Sequence, residues 1–107
     1  MKQKTDSLLA KLHSETAVIA WHELQRFFAK GVVLVVAPSL DLVNVARYFA
    51  DDDAGDLKPL LESEKVVKPS DEQAKLWYEK NTHLWSVVVA PFVLVQVVHE
   101  GEGKKNE

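Results

Sequence analysis

The chain contains no cysteine, which removes three chemistries at once: a disulfide framework, a thiolate nucleophile and cysteine-ligated zinc. It has no dense basic block and a net charge of -3, so the electrostatic footprint of a nucleic-acid binder is missing. No apolar run reaches the ~18 residues that a membrane helix needs. The longest, Val87 to Val98, is too short and too β-branched, and the N-terminal Met1-Lys2-Gln3-Lys4-Thr5-Asp6 has no apolar signal core. A soluble, cytoplasmic protein that binds neither nucleic acid nor membrane is therefore expected. Glycine numbers 4 in 107 residues, and the loop after Val36 has none to let a phosphate approach its backbone.

What is present suits one globular domain. Hydrophobic content of 47% against 27% charged is ordinary for such a domain. A chain of this length buries roughly two-thirds of its unfolded surface, enough for one core without staples. Two valine-rich runs mark that core. Val32 to Val36 stops at Ala37-Pro38, and Val87 to Val89 stops at Ala90-Pro91. Branched side chains suit a pleated surface, and a continuous apolar run implies burial on both faces. Proline then removes a ladder donor, so each run must stop, bend or lie at an edge.

The flanking periodicities are helical. Leu8, Leu9, Leu12, Thr16, Ile19, Ala20, Leu24 and Phe27 recur at a 3.6-residue spacing. They predict one long N-terminal helix, capped by Asp6 or Thr5 and terminated by Gly31. Ser39 is placed as the cap of a second helix with Leu42, Val45, Ala46 and Phe49 inward and Asp41 in its first turn. Pro59 predicts two turns or a kink between Ala54 and Ser63, and Val66-Val67 is a short strand at most. Ser70 with Gln73 forms a capping box for a helix to about Lys80, with Ala74, Trp77 and Tyr78 inward. Pro91 either bulges one long strand or turns a tight hairpin. Neither side shows clean turn chemistry, so the bulged strand is preferred. The expected fold is α+β: residues 1–98 form one domain with three or four strands, packed by the long helix and two or three shorter ones. Residues 99–107, rich in glycine and charge, read as a disordered tail.

Four segments together resemble an uncharacterised family of small bacterial proteins, domain-of-unknown-function family 2288. They are Ile19-Ala20-Trp21-His22-Glu23-Leu24, Pro38-Ser39-Leu40-Asp41-Leu42-Val43, Phe49-Ala50-Asp51-Asp52-Asp53 and Trp85-Ser86-Val87-Val88-Val89-Ala90-Pro91. The resemblance implies a bacterial, single-domain protein. It brings no activity or site residue with it.

Chemistry-bearing motifs are few. His22-Glu23 fails as a helical zinc motif, because the second histidine four residues on is Arg26. Asp51, Asp53 and Glu62 match the first, third and twelfth positions of an EF-hand loop, but the obligatory glycine at the sixth is Asp56. Asp51, Asp52 and Asp53 remain a metal candidate set, with helix capping as the simpler account. Ser39, Asp41 and Asn44 lie past the end of a buried strand at a helix start, and are the candidate ligand-binding group. No cofactor is implied and no catalytic residue stands out. The apolar Phe92 to Val98 and the N-terminal helix offer surfaces for self-association. The leading expectation is a non-enzymatic interaction or self-associating module. The alternative is a small-molecule or metal-binding, even catalytic, domain around Ser39–Asp41.

Overall fold

Five strands form one mixed sheet in the order β1-β4-β5-β2-β3, with helices on both faces. The structure is a computed structural model describing residues 2–98, so the tail expected to be disordered lies outside the described residues. The elements run α1 (Lys2–Glu15), β1 (Ala17–Ala20), α2 (Trp21–Ala29), β2 (Val33–Val36), α3 (Leu42–Ala50), α4 (Ala54–Glu62), β3 (Val66–Val67), α5 (Asp71–Lys80), β4 (His83–Val89) and β5 (Phe92–Val97). The α+β class stands, while the strand count exceeds the three or four expected.

The long N-terminal helix is the main correction. It stops at Glu15, where the Thr16 hydroxyl donates to Leu12 O at 2.6 Å and the Thr16 N–H to His13 O. Ala17 to Ala20 then extend as β1, antiparallel to β4, before the chain re-enters helix at Trp21. Thr16, Val18 and Ile19 are β-branched and lose rotamer freedom in a helix. Once β4 offers a ladder, the strand wins, although Ile19 and Leu24 satisfy the helical stripe equally well. At the far end of α2, Gly31 sits at φ 76° as the expected terminator. Its N–H donates to Phe28 O and that of Val32 to Phe27 O, the paired bonds of a Schellman motif.

The second correction is at Pro91. β4 and β5 form a hairpin in register from Leu84↔Val97 to Val89↔Phe92, rather than one bulged strand. Only Ala90 and Pro91 lie between the last pair, and their peptide is cis, as in a type VI turn. β5 then pairs β2 in parallel, Val33↔Val93 through Val35↔Val95, and is enclosed on both sides. β2 pairs antiparallel with the two-residue β3.

The alternation of the strands splits the core in two. Leu34, Val36, Val87, Val89 and Leu94 face α1, α3 and α4. Val33, Leu84, Val93 and Val95 face α2 and α5, whose Trp21, Leu24, Ala74 and Trp77 close over them. Leu84 and Leu94 are fully buried, each contributing roughly 2–3 kcal/mol of transfer free energy. The Trp21 and Trp77 rings meet edge to face at 5.1 Å, and Phe28 lies 5.5 Å from Trp21. Tyr78, expected inward, is 52% exposed, because the turn of α5 that buries Trp77 carries the next residue outward. Its ring lies 4.7 Å from that of His22, whose Nε2 is 2.9 Å from Tyr78 O. α4 runs unbroken across Pro59 where two turns or a kink were expected. It is a short helix with no fully buried residue, so one missing ladder bond is tolerated. Asp53 caps its start, and Ser63 Oγ returns to Pro59 O at 2.8 Å.

Candidate functional site

The candidate site grows out of the turn after β2. The Leu40 N–H donates to Ala37 O at 3.0 Å, closing a β-turn with Pro38 at its second position and Ser39 at its third. Ser39, expected to cap α3, is therefore a turn residue. Asp41 is the cap, its Oδ1 accepting from Val43 N at 2.9 Å and from Asn44 N at 3.3 Å. Pro38 sets the turn and the following carboxylate saturates the helix start, an arrangement that local chemistry dictates without tertiary help.

Ser39, Asp41 and Asn44 come together. With Tyr48, Asp56 and Pro59 they line a cleft of about 380 Å³ between the turn, α3 and α4. Their chemistry is limited. The helix-start amides that would hold an anion are already bound to Asp41, and no histidine lines the cleft to activate Ser39.

Asp51, Asp52 and Asp53 do not join this group. They lie at the other end of α3, about 15 Å along its axis from Asp41 by helical rise. There Asp51 is the C-cap, Asp52 takes a positive φ of 56°, and Asp53 caps α4 through Asp56 N at 3.2 Å. Among the described residues no group of three or more His, Asp or Glu is placed to hold a metal ion. Asp56, in the first turn of α4, joins Asp41 as the second acidic residue of the cleft. A hydrogen bond with Asp53, then the charge of Asp53, hold its carboxyl above the usual range, while Arg47 pulls the other way.

On the other side of the same turn lies a larger cleft of about 560 Å³. It is lined by His13 and Thr16 from the end of α1, by Pro38 and Asp41, and by Trp85 and Gln96 from the sheet. Gln96 ties the turn down: its Nε2 donates to Ala37 O at 2.9 Å and to Leu40 O at 2.8 Å. This cleft sits at the carboxyl ends of the parallel pair β2 and β5, where open α/β sheets commonly hold ligands. Sequence reasoning missed Trp85, Gln96, His13 and Thr16, which lie far apart in the chain. The available signal was Gln96, the sole polar residue in the run Phe92 to Val98.

A third concavity, about 480 Å³, runs beside α2 on the opposite face, with Ile19, Phe27, Val88 and Val93 along it. The Arg26 guanidinium lies 4.9 Å from the Phe27 ring centre at its margin. Val88 is 54% exposed there.

Comparison with known proteins adds a family and a fold relative. No curated protein matches. A solved structure described as the NMR solution structure of PA1075 from Pseudomonas aeruginosa is 45% identical with a TM-score of 0.75, covering 94% of this chain and 93% of that one. Neither that likeness nor the family description indicates a specific function, and no described helix is long and apolar enough to cross a membrane. The profile of the family described as "Protein of unknown function (DUF2288)" matches residues 7–97, which take in every quoted segment and the whole sheet, and the chain belongs to that family.

Proposed function

We propose that this protein is a non-enzymatic, cytoplasmic association module that pairs with a second copy of itself through the free edge of β1. The observation that carries this reading is the contrast between the two edges of the sheet. β3 is only two residues long, flanked by Lys65 and Lys68 and followed by Pro69. Those features blunt an edge against pairing. β1 has none of them: it reads Ala-Val-Ile-Ala, and Ala17 and Val18 are exposed.

The register follows from the ladder. The Trp21 N–H donates to Thr82 O at 2.8 Å, so Ile19 and Ala17 also turn their peptide groups toward β4. Val18 therefore turns its N–H and C=O outward. A two-fold axis through Val18 pairs it with Val18 of the second copy by two reciprocal hydrogen bonds, and sets Ala17 opposite Ile19. The sheet continues across the axis with the same face on the same side. The apolar groove beside α2, with exposed Val88, adjoins this edge and extends the contact. The expected use of Phe92–Val98 moves accordingly, since β5 is enclosed between β4 and β2 and offers no edge.

Sedimentation velocity across micromolar concentrations tests the proposal. A monomer–dimer equilibrium is expected, abolished by Val18→Lys, which sets two like charges across the axis while leaving the thermal midpoint nearly unchanged. Monomer at every concentration, or a dimer that survives Val18→Lys, overturns it.

A further inference from the structure

We propose that the cleft between the end of α1, the Pro38 turn and Trp85 binds an organic cation, a guanidinium or alkylammonium group. Three of its polar side chains offer only lone pairs. The Thr16 hydroxyl gives its proton to Leu12 O at 2.6 Å, which leaves its lone pairs free. Gln96 commits both Nε2 protons to Ala37 O and Leu40 O, which fixes the carboxamide and leaves Oε1 as an acceptor. Asp41 has no proton to give; Oδ1 receives both backbone bonds, and Oδ2 remains for a ligand.

These groups share one cleft with the half-buried Trp85 indole, the ring type that attracts cations most strongly. Among the described residues no lysine or arginine lines the cleft, and His13 is its one basic side chain. A ligand here must bring donors, and one that also brings positive charge gains from Asp41 and from the indole face together. An anion would meet lone pairs and a carboxylate. The preference is a consequence of hydrogen-bond direction: the interior of the protein consumes the protons, and the cleft receives what is left.

The same cation could be a free small amine or guanidine, or an arginine or lysine side chain on a peptide. Titration of the full chain with methylguanidinium, followed by the Trp85 indole N–H and Gln96 side-chain amide signals in two-dimensional NMR, tests the site. Saturable shifts of both signals are expected. Methylurea, the uncharged isostere, should bind at least tenfold more weakly. Asp41→Asn keeps a good helix cap, so the fold survives, and it should weaken methylguanidinium at least tenfold. A Gly-Arg-Gly peptide that binds tenfold tighter than methylguanidinium identifies a peptide source; equal or weaker binding identifies a free small cation. The proposal falls if no saturable shift is seen, if methylurea binds as well, or if Asp41→Asn leaves the affinity unchanged.

Discussion

Replacing Gln96 should reveal how firmly the turn after β2 is fastened to the sheet. Its carboxamide bridges 59 residues of chain to Ala37 and 56 to Leu40, with donor–acceptor distances of 2.9 and 2.8 Å. Ala37 O has a second donor in the Leu40 N–H, whereas Gln96 is the sole donor to Leu40 O among the described residues. Gln96→Leu removes two neutral hydrogen bonds of about 1 kcal/mol each, partly offset by the added apolar contact, for a net loss of about 1–2 kcal/mol. Gln96→Glu keeps the shape but points a carboxylate at two carbonyl oxygens, so a loss of about 2–4 kcal/mol is expected at neutral pH. For a domain of this size each 1 kcal/mol corresponds to roughly 4–8 °C in Tm. Urea unfolding followed by circular dichroism gives both values, and an unchanged slope assigns them to the folded state. The ranking is the sharp part. Wild type should exceed Gln96→Leu, which should exceed Gln96→Glu, and acid should narrow the last gap as a protonated Glu regains a donor. If Gln96→Glu proves as stable as Gln96→Leu at neutral pH, the bridge contributes nothing and the reasoning is refuted.

Asp41→Ala should lose about 1 kcal/mol as the true cap of α3, while Ser39→Ala, at a turn position with no cap bond, should lie within about 0.5 kcal/mol of wild type; paired urea curves separate the two. Asp56→Asn should alter the pH dependence of stability. The folded carboxyl titrates above its unfolded value, so its contribution is fully present below the unfolded pKa and is lost as pH rises through the folded one. The variant should therefore gain relative to wild type between strongly acidic and neutral pH. Thermal midpoints compared across that range check the sign, and a gap that stays flat or widens toward acid contradicts it.

Features carried by a few adjacent residues were legible in the chain. Gly31 ends a helix at positive φ, Ser70 caps α5 through Gln73 N at 3.0 Å, and the inner face of α3 is as spaced. What was illegible depended on partners distant in sequence. Ala17 to Ala20 fit a helical stripe and a strand equally, and only β4, more than sixty residues on, decides between them. The Ala90-Pro91 turn is invisible without the register that pairs Val89 with Phe92. The candidate group Ser39, Asp41 and Asn44 was found because its members are neighbours, and the aspartate run was set apart from it by the length of α3. The second cleft was missed because Gln96 reaches it through the parallel pairing of β5 with β2, which nothing in the local sequence encodes.

That pairing also governs the order in which the molecule can be assembled. Among the described residues β5 is the last strand along the chain, and it lies at the centre of the sheet, between β4 and β2. Until it emerges during synthesis, β1 with β4 on one side and β2 with β3 on the other share no ladder, and two open edges face each other across a gap one strand wide. A nascent chain halted before Phe92 is therefore a pair of unjoined sheet fragments rather than a shortened domain. Its exposed edges would invite strand addition of the kind proposed for β1.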